Sequence, residues 1–128
     1  MKQEVITTDQ APLAIGTYSQ AIKVNGMVFI SGQIPFDPQT MTPVAGNMDQ
    51  QINQVFSNLK AIAHAAGGDL SMIVKLTIFL TNLDDFEAVN KVMLVFFEQP
   101  FPARAVVGVA SLPKDVSIEV DAILALAD

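Results

Sequence analysis

The chain has 128 residues, 51% hydrophobic and only 16% charged, with a formal net charge of −6, one histidine and no cysteine. That length fits a single domain, 1–128, with a real core, while the composition leaves no disulfide framework, no thiol nucleophile and no His/Cys metal cluster. Seven cationic residues spread singly make no basic patch for nucleic acid, and no stretch reaches the ~18 apolar residues of a membrane span, so the excess apolar surface points to burial between subunits.

The start, Met1-Lys-Gln-Glu-Val-Ile, lacks the apolar core of a signal peptide, so the cytoplasm is the expected setting. Residues 4–7 read as a short first strand. Residues 11–20 form a loop opened by Pro12 and broken by Gly16, with the only tyrosine, Tyr18, near its end. Two strands, 21–24 and 27–31, flank Asn25-Gly26, a strong two-residue hairpin signal. Ser31-Gly32 leaves the second strand, where Gly32 either lets a backbone amide face a ligand or marks a bulge. Residues 36–46 hold two prolines and no periodicity, and read as a loop.

From 48 to 66, Ile52, Val55, Phe56, Leu59, Ile62, Ala63 and Ala66 follow helical spacing, and Gly67-Gly68 stops the helix. His64 falls near its C-terminus on the polar side, a favourable dipole partner outside any site. Residues 72–80 are a nearly continuous apolar strand. Asn82-Leu-Asp-Asp85 resembles a helix start, and Phe86, Val89, Met93, Phe96 and Phe97 make the next apolar stripe, with Asn90 among them. Two more strands follow. The order implies an α+β fold, with two helices on one face of a mixed sheet.

Those last strands carry the only arginine, Arg104, and one of four glutamates, Glu119. Ser111-Leu-Pro-Lys-Asp115 between them favours a turn, so the simplest object is an antiparallel hairpin. With a four-residue loop, Val106 lies opposite Glu119 and Arg104 opposite Asp121. Arg104 and Glu119 are then diagonal neighbours at roughly 7–8 Å. An odd loop puts them on opposite faces. The bland alternative is a solvated cross-strand ion pair, worth little. Against it, the chain uses lysine elsewhere for positive charge, and the rigid arginine fork suits a planar carboxylate.

Ala11-Pro-x-Ala-Ile-Gly-x-Tyr-Ser-Gln20, Ser31-Gly-Gln-Ile-Pro35, Val74-Lys75, Asp85-Phe86 with Val89-Asn90, and Pro102-Ala-Arg104 through Leu112-Pro113 to Ile118-Glu119 together resemble the RidA/YjgF family of reactive-intermediate deaminases. The likeness spans nearly the whole chain. It implies a chorismate-mutase-like fold and a homotrimer with a central β-barrel, its sites in clefts between subunits. It also implies cofactor-free hydrolysis of 2-imino acids, the products of pyridoxal-phosphate dehydratases, to 2-keto acids and ammonia. In that scheme Arg104 holds the substrate carboxylate, and Glu119 and the Val106 carbonyl hold a water. Tyr18, Ser31, Gly32 and Asn90 line the cleft. Thr17 stands where the family usually has proline, Val106 where cysteine is frequent, and Met93 where tyrosine is common, the last read as a packing change. Two competing readings are a ribonuclease or translation inhibitor, disfavoured by the acidic charge, and a non-catalytic trimer that binds small carboxylates or offers a chaperone-like surface.

Overall fold

Asn25 and Gly26 turn the chain back on itself with φ of 50° and 77°, the paired positive values that a two-residue hairpin of this hand requires. In the computed structural model, which describes residues 2–127, they join β2 (Ala21–Val24) to β3 (Met27–Gln33), with Val24 opposite Met27. β1 (Glu4–Ile6) adds antiparallel to β2. The stretch expected as a plain loop holds a miniature hairpin, β4 (Phe36–Asp37) and β5 (Thr42–Pro43). The cause is local. The Asp37 carboxylate accepts from the Gln39 and Thr40 N–H groups at 2.7 and 3.3 Å, an aspartate turn that reverses the chain without any hydrophobic pattern to announce it.

Helix α1 (Met48–Ala65) starts at a reciprocal cap: Asn47 accepts from the Gln50 N–H at 3.0 Å, and the Asn47 N–H donates to the Gln50 side chain at 2.8 Å. Its stripe of Ile52, Val55, Phe56, Leu59, Ile62 and Ala63 is buried, and the Gly68 N–H closes it on the Ala63 carbonyl. A one-turn 3-10 segment, Leu70–Met72, leads into β6 (Ile73–Leu80). Asn82 caps a second such turn, Leu83–Asp85, before α2 (Phe86–Phe96). Phe96 and Phe97 pack on Phe56, ring centroids 5.7 and 5.6 Å away. Phe86 departs from the expected buried stripe: it is 39% exposed, with the Arg104 guanidinium over its ring.

The main sheet runs β1-β2-β3-β8-β6-β7, where β7 is Ala103–Gly108 and β8 is Ile118–Ala125. This overturns the terminal hairpin. β7 and β8 do not pair; β6 lies between them, parallel to β7 and antiparallel to β8. The reason is the strand–helix–strand unit β6-α2-β7, whose crossover returns the chain parallel to the strand it left. The connection to β8 then passes the end of β6, with the Val109 N–H on the Leu80 carbonyl and the Thr81 N–H on the Ser117 carbonyl.

Register separates the two faces. Val28, Ile30, Leu76, Ile78, Ile118, Val120, Ala122 and Leu124 are buried in one cluster with the helix stripes. The opposite face leaves Phe29, Val74 and Val107 exposed. Arg104 lies level with buried Leu76, on the helix side, whereas Glu119 lies level with Phe79, on the bare side. The diagonal contact at roughly 7–8 Å is therefore absent, and the arrangement is the opposite-face one. Among the described residues, no helix is long and apolar enough to cross a membrane.

Candidate active site

On the bare side, β3 breaks its register with β8 between Ile30 and Gln33, so that Ser31 and Gly32 bulge beside Glu119. The bulge and the close approach are one feature. A Cβ on Gly32 would fall on the Glu119 carboxylate, 2.8 Å from its Cδ. Only glycine lets the glutamate lie there. The Ser31 hydroxyl donates to the Ser19 carbonyl at 2.6 Å, and the Ser31 N–H donates to the Gln20 carbonyl at 2.9 Å, which fixes the end of the Tyr18 loop against the bulge. The Ile15 N–H donates to the Tyr18 hydroxyl at 3.2 Å. That bond ties the loop despite Thr17 and leaves the phenolic hydrogen free for a ligand.

Tyr18, Ser31, Gly32 and Glu119 line one cavity of about 530 Å³, whose walls are otherwise largely apolar. Burial, and secondarily the nearby Asp121 charge, raise the Glu119 pKa above its ordinary value. A carboxylate in that state is a stronger base than an exposed one. Asp121 is raised as well by its own burial, with Thr77 hydrogen bonds and Lys75 opposing the shift.

Two polar side chains that sequence reasoning missed hold this cavity in shape. Gln20, 2% exposed, accepts from the Thr8 N–H at 2.7 Å and donates to the Thr8 and Pro12 carbonyls at 3.0 and 2.8 Å. Asn58, 1% exposed, donates to the Ile34 and Phe36 carbonyls at 3.2 and 3.0 Å and accepts from Gln54. Losing either would strand buried backbone acceptors, at roughly 1–3 kcal/mol each. The available signal was Asn58 itself, a polar residue beside Leu59 within an apolar stripe.

Arg104 belongs to a different place. Its Nη1 donates to Asn90 Oδ1 at 2.6 Å and to the Met93 sulfur at 3.4 Å, and its guanidinium carbon stands 5.2 Å from the Phe86 ring centroid. Phe86, Asn90 and Met93 are spaced by four and three residues, one stripe of α2. Met93 is thus more than the packing change expected, because its thioether touches the arginine. Asn90, Met93 and Arg104 line a second cavity of about 370 Å³. Among the described residues Lys91 pairs with Asp49 at 2.6 Å, and His64 Nε2 stands 3.1 Å from Asp69 Oδ1. The Arg104–Glu119 ion pair does not form, and most of the guanidinium fork is unspent.

Val106 packs partly buried against the core on the Arg104 side. β7 is an edge strand. With the Val109 N–H turned to Leu80, two-residue alternation leaves the Val106 carbonyl on the open edge, available to a ligand. His64 lies apart on Asp69, as expected of a surface histidine. The expected site residues therefore fall into two groups on one chain: Tyr18, Ser31, Gly32 and Glu119 on one face, and Asn90, Arg104 and the Val106 edge on the other.

Residues 8–126 match the family model for endoribonuclease L-PSP. A 2-iminobutanoate/2-iminopropanoate deaminase of Dermatophagoides farinae is 44% identical, over 97% of this chain and 97% of its own. The crystal structure of RidA from an Antarctic Psychrobacter superposes with a TM-score of 0.93 at 50% identity, covering 96% of this chain and 99% of that one. Escherichia coli TdcF, solved with bound serine, superposes with a TM-score of 0.91 at 42% identity, covering 97% and 99%. From residue 8 to residue 126, and in fold as in sequence, the chain belongs to the RidA/YjgF family, the family of the endoribonuclease L-PSP model.

Proposed function

We propose that this protein hydrolyses reactive 2-imino acids, 2-iminobutanoate and 2-iminopropanoate, to 2-keto acids and ammonia. The site is completed when the Arg104 face of one copy meets the Glu119 face of another. The observation that carries this reading is the division itself. An arginine with no carboxylate partner among the described residues and a desolvated glutamate with its own cavity stand on opposite faces of one sheet, so neither half completes a site alone. A cyclic assembly supplies both halves to every site. A homotrimer with the bare faces turned into a central barrel is the arrangement we favour, acting in the cytoplasm beside the pyridoxal-phosphate dehydratases that release such imines.

In this mechanism the Arg104 fork takes the substrate carboxylate, and Asn90 and Phe86 hold the fork in place. Tyr18 and the backbone of the bulge bound the reacting end. The protonated imine carbon is already electrophilic, so attack needs an oriented water more than a strong base. The Val106 carbonyl and Glu119 hold that water. As its oxygen bonds to C2, Glu119 takes a proton and the C=N electrons move to nitrogen, giving a carbinolamine. Glu119 then returns the proton to the amine, the C–N bond breaks, and the hydroxyl oxygen closes the C=O bond. The last hydroxyl proton leaves with ammonia as ammonium. The reaction requires no cofactor.

Keto-acid release from threonine by a dehydratase, with and without this protein, tests the activity. Faster release is expected, and equal rates would count against it. Sedimentation at micromolar concentration should give a particle of about three chains; a stable monomer would sink the shared site. Gly32→Ala is expected to fold but push the Glu119 carboxylate from its place, lowering the hydrolysis rate about ten-fold. An unchanged rate would show that the close approach is incidental.

A further inference from the structure

The Glu119 cavity holds one more charged side chain, which the proposed reaction leaves idle. Lys114 lines it from the 3-10 turn Pro113–Asp115. Lys114 and Asp115 both adopt left-handed backbone, φ 59° and 56°, a conformation that side-chain-bearing residues keep only where the surroundings impose it. Among the described residues Lys114, like every lysine except Lys91, makes no salt bridge. It does not neutralise Glu119 either. The charge felt there is that of Asp121, and the Glu119 pKa is raised, the reverse of what an adjacent ammonium would do. The lysine and the glutamate line one cavity without forming a salt bridge. In a single chain, before a second copy closes over it, that cavity of about 530 Å³ exceeds what a three- or four-carbon imino acid fills.

We infer that Lys114 is a specificity residue that receives the distal carboxylate of dicarboxylic 2-imino acids, those corresponding to aspartate and glutamate. The inference rests on the reading above, in which Arg104 of a second copy takes the α-carboxylate and Glu119 the water. A substrate with a carboxylate at each end then meets two cations that, among the described residues, have no carboxylate partner, and its methylenes lie along Leu13, Ile34 and Met41. A lysine suits this task. Its compact charge on a flexible stem selects for the presence of an anion and tolerates chains of different length.

The test compares Lys114→Met with the wild type on two substrates made in situ, 2-iminoglutarate from an amino-acid oxidase and 2-iminobutanoate from a dehydratase. Calorimetric binding of 2-oxoglutarate and 2-oxobutanoate runs in parallel. Methionine is unbranched like lysine, so the backbone demand at φ 59° is unchanged. The dicarboxylic-to-monocarboxylic ratio of kcat/KM, and the matching ratio of keto-acid affinities, should fall about ten-fold, as for loss of a charge-assisted bond. Lys114→Arg should keep both ratios within about two-fold, since it retains the charge. If the wild type turns over 2-iminobutanoate and Lys114→Met moves neither ratio, this inference is wrong and the proposed function stands. If the wild type hydrolyses no imine, that function fails and calorimetry decides: the ten-fold change upholds Lys114 as an anion anchor, and its absence overturns it.

Discussion

Glu119→Gln is expected to lower the rate of imine hydrolysis by about 10²–10⁴, the usual contribution of general acid–base catalysis, while 2-oxobutanoate binding stays nearly intact. The amide keeps the shape that fits over Gly32 but cannot take a proton from water or return one to nitrogen. The acid limb of the wild-type pH–rate profile should vanish with it. A folding defect would not explain the loss. Burial and the Asp121 charge raise the Glu119 pKa in the folded chain, so the folded state binds that proton more readily than the unfolded one. Ionising Glu119 therefore removes stability as pH rises through this window, and the neutral variant should melt at the wild-type temperature or above. Hydrolysis at the parent rate would make the glutamate structural.

Arg104→Ala should instead act on binding. Charge-assisted hydrogen bonds of this kind contribute roughly 1.5–3 kcal/mol, so affinity for 2-oxobutanoate should weaken by one to two orders of magnitude in calorimetry. The ground state and the transition state both carry the substrate carboxylate, so KM should rise more than kcat falls. The fold should survive. Arg104 is exposed and its contacts are one amide, one thioether and one ring face. Normal keto-acid binding by this variant would mean the carboxylate is held elsewhere.

What could be read from the residues was whatever depends on near neighbours. The α1 stripe, the Asn25-Gly26 turn, β6, and the packing of Phe96 and Phe97 into the core follow from periodicity and turn chemistry, and the structure has them, Phe97 buried and Phe96 partly so. The pairing of β7 was not local. Sequential strands neighbour one another in roughly two-thirds of cases, which favoured a hairpin with β8. The deciding signal lay upstream, in the strand–helix–strand order of β6, α2 and β7, which demands a parallel pair and inserts β6 between Arg104 and Glu119. Gly32 was legible as either a ligand-facing amide or a bulge; the structure has the bulge, and the close approach of Glu119 that it permits was not foreseen. Gln20 and Asn58 could not be given partners, although Asn58 stands out as a polar residue within the α1 stripe. Their partners are backbone carbonyls of loops, and no side-chain pattern marks those in advance.

The interchain site is tested most directly by mixing two crippled variants. Arg104→Ala chains retain Glu119, and Glu119→Gln chains retain Arg104. If each site takes Arg104 from one copy and Glu119 from the next, every mixed cyclic trimer regains one intact site of three. Random exchange at equal concentrations then restores about one quarter of the wild-type rate. Mass spectrometry of the mixture would verify that mixed oligomers have formed. Recovery to near that level is the predicted result; mixed oligomers that remain as inactive as either parent would contradict a site shared between copies.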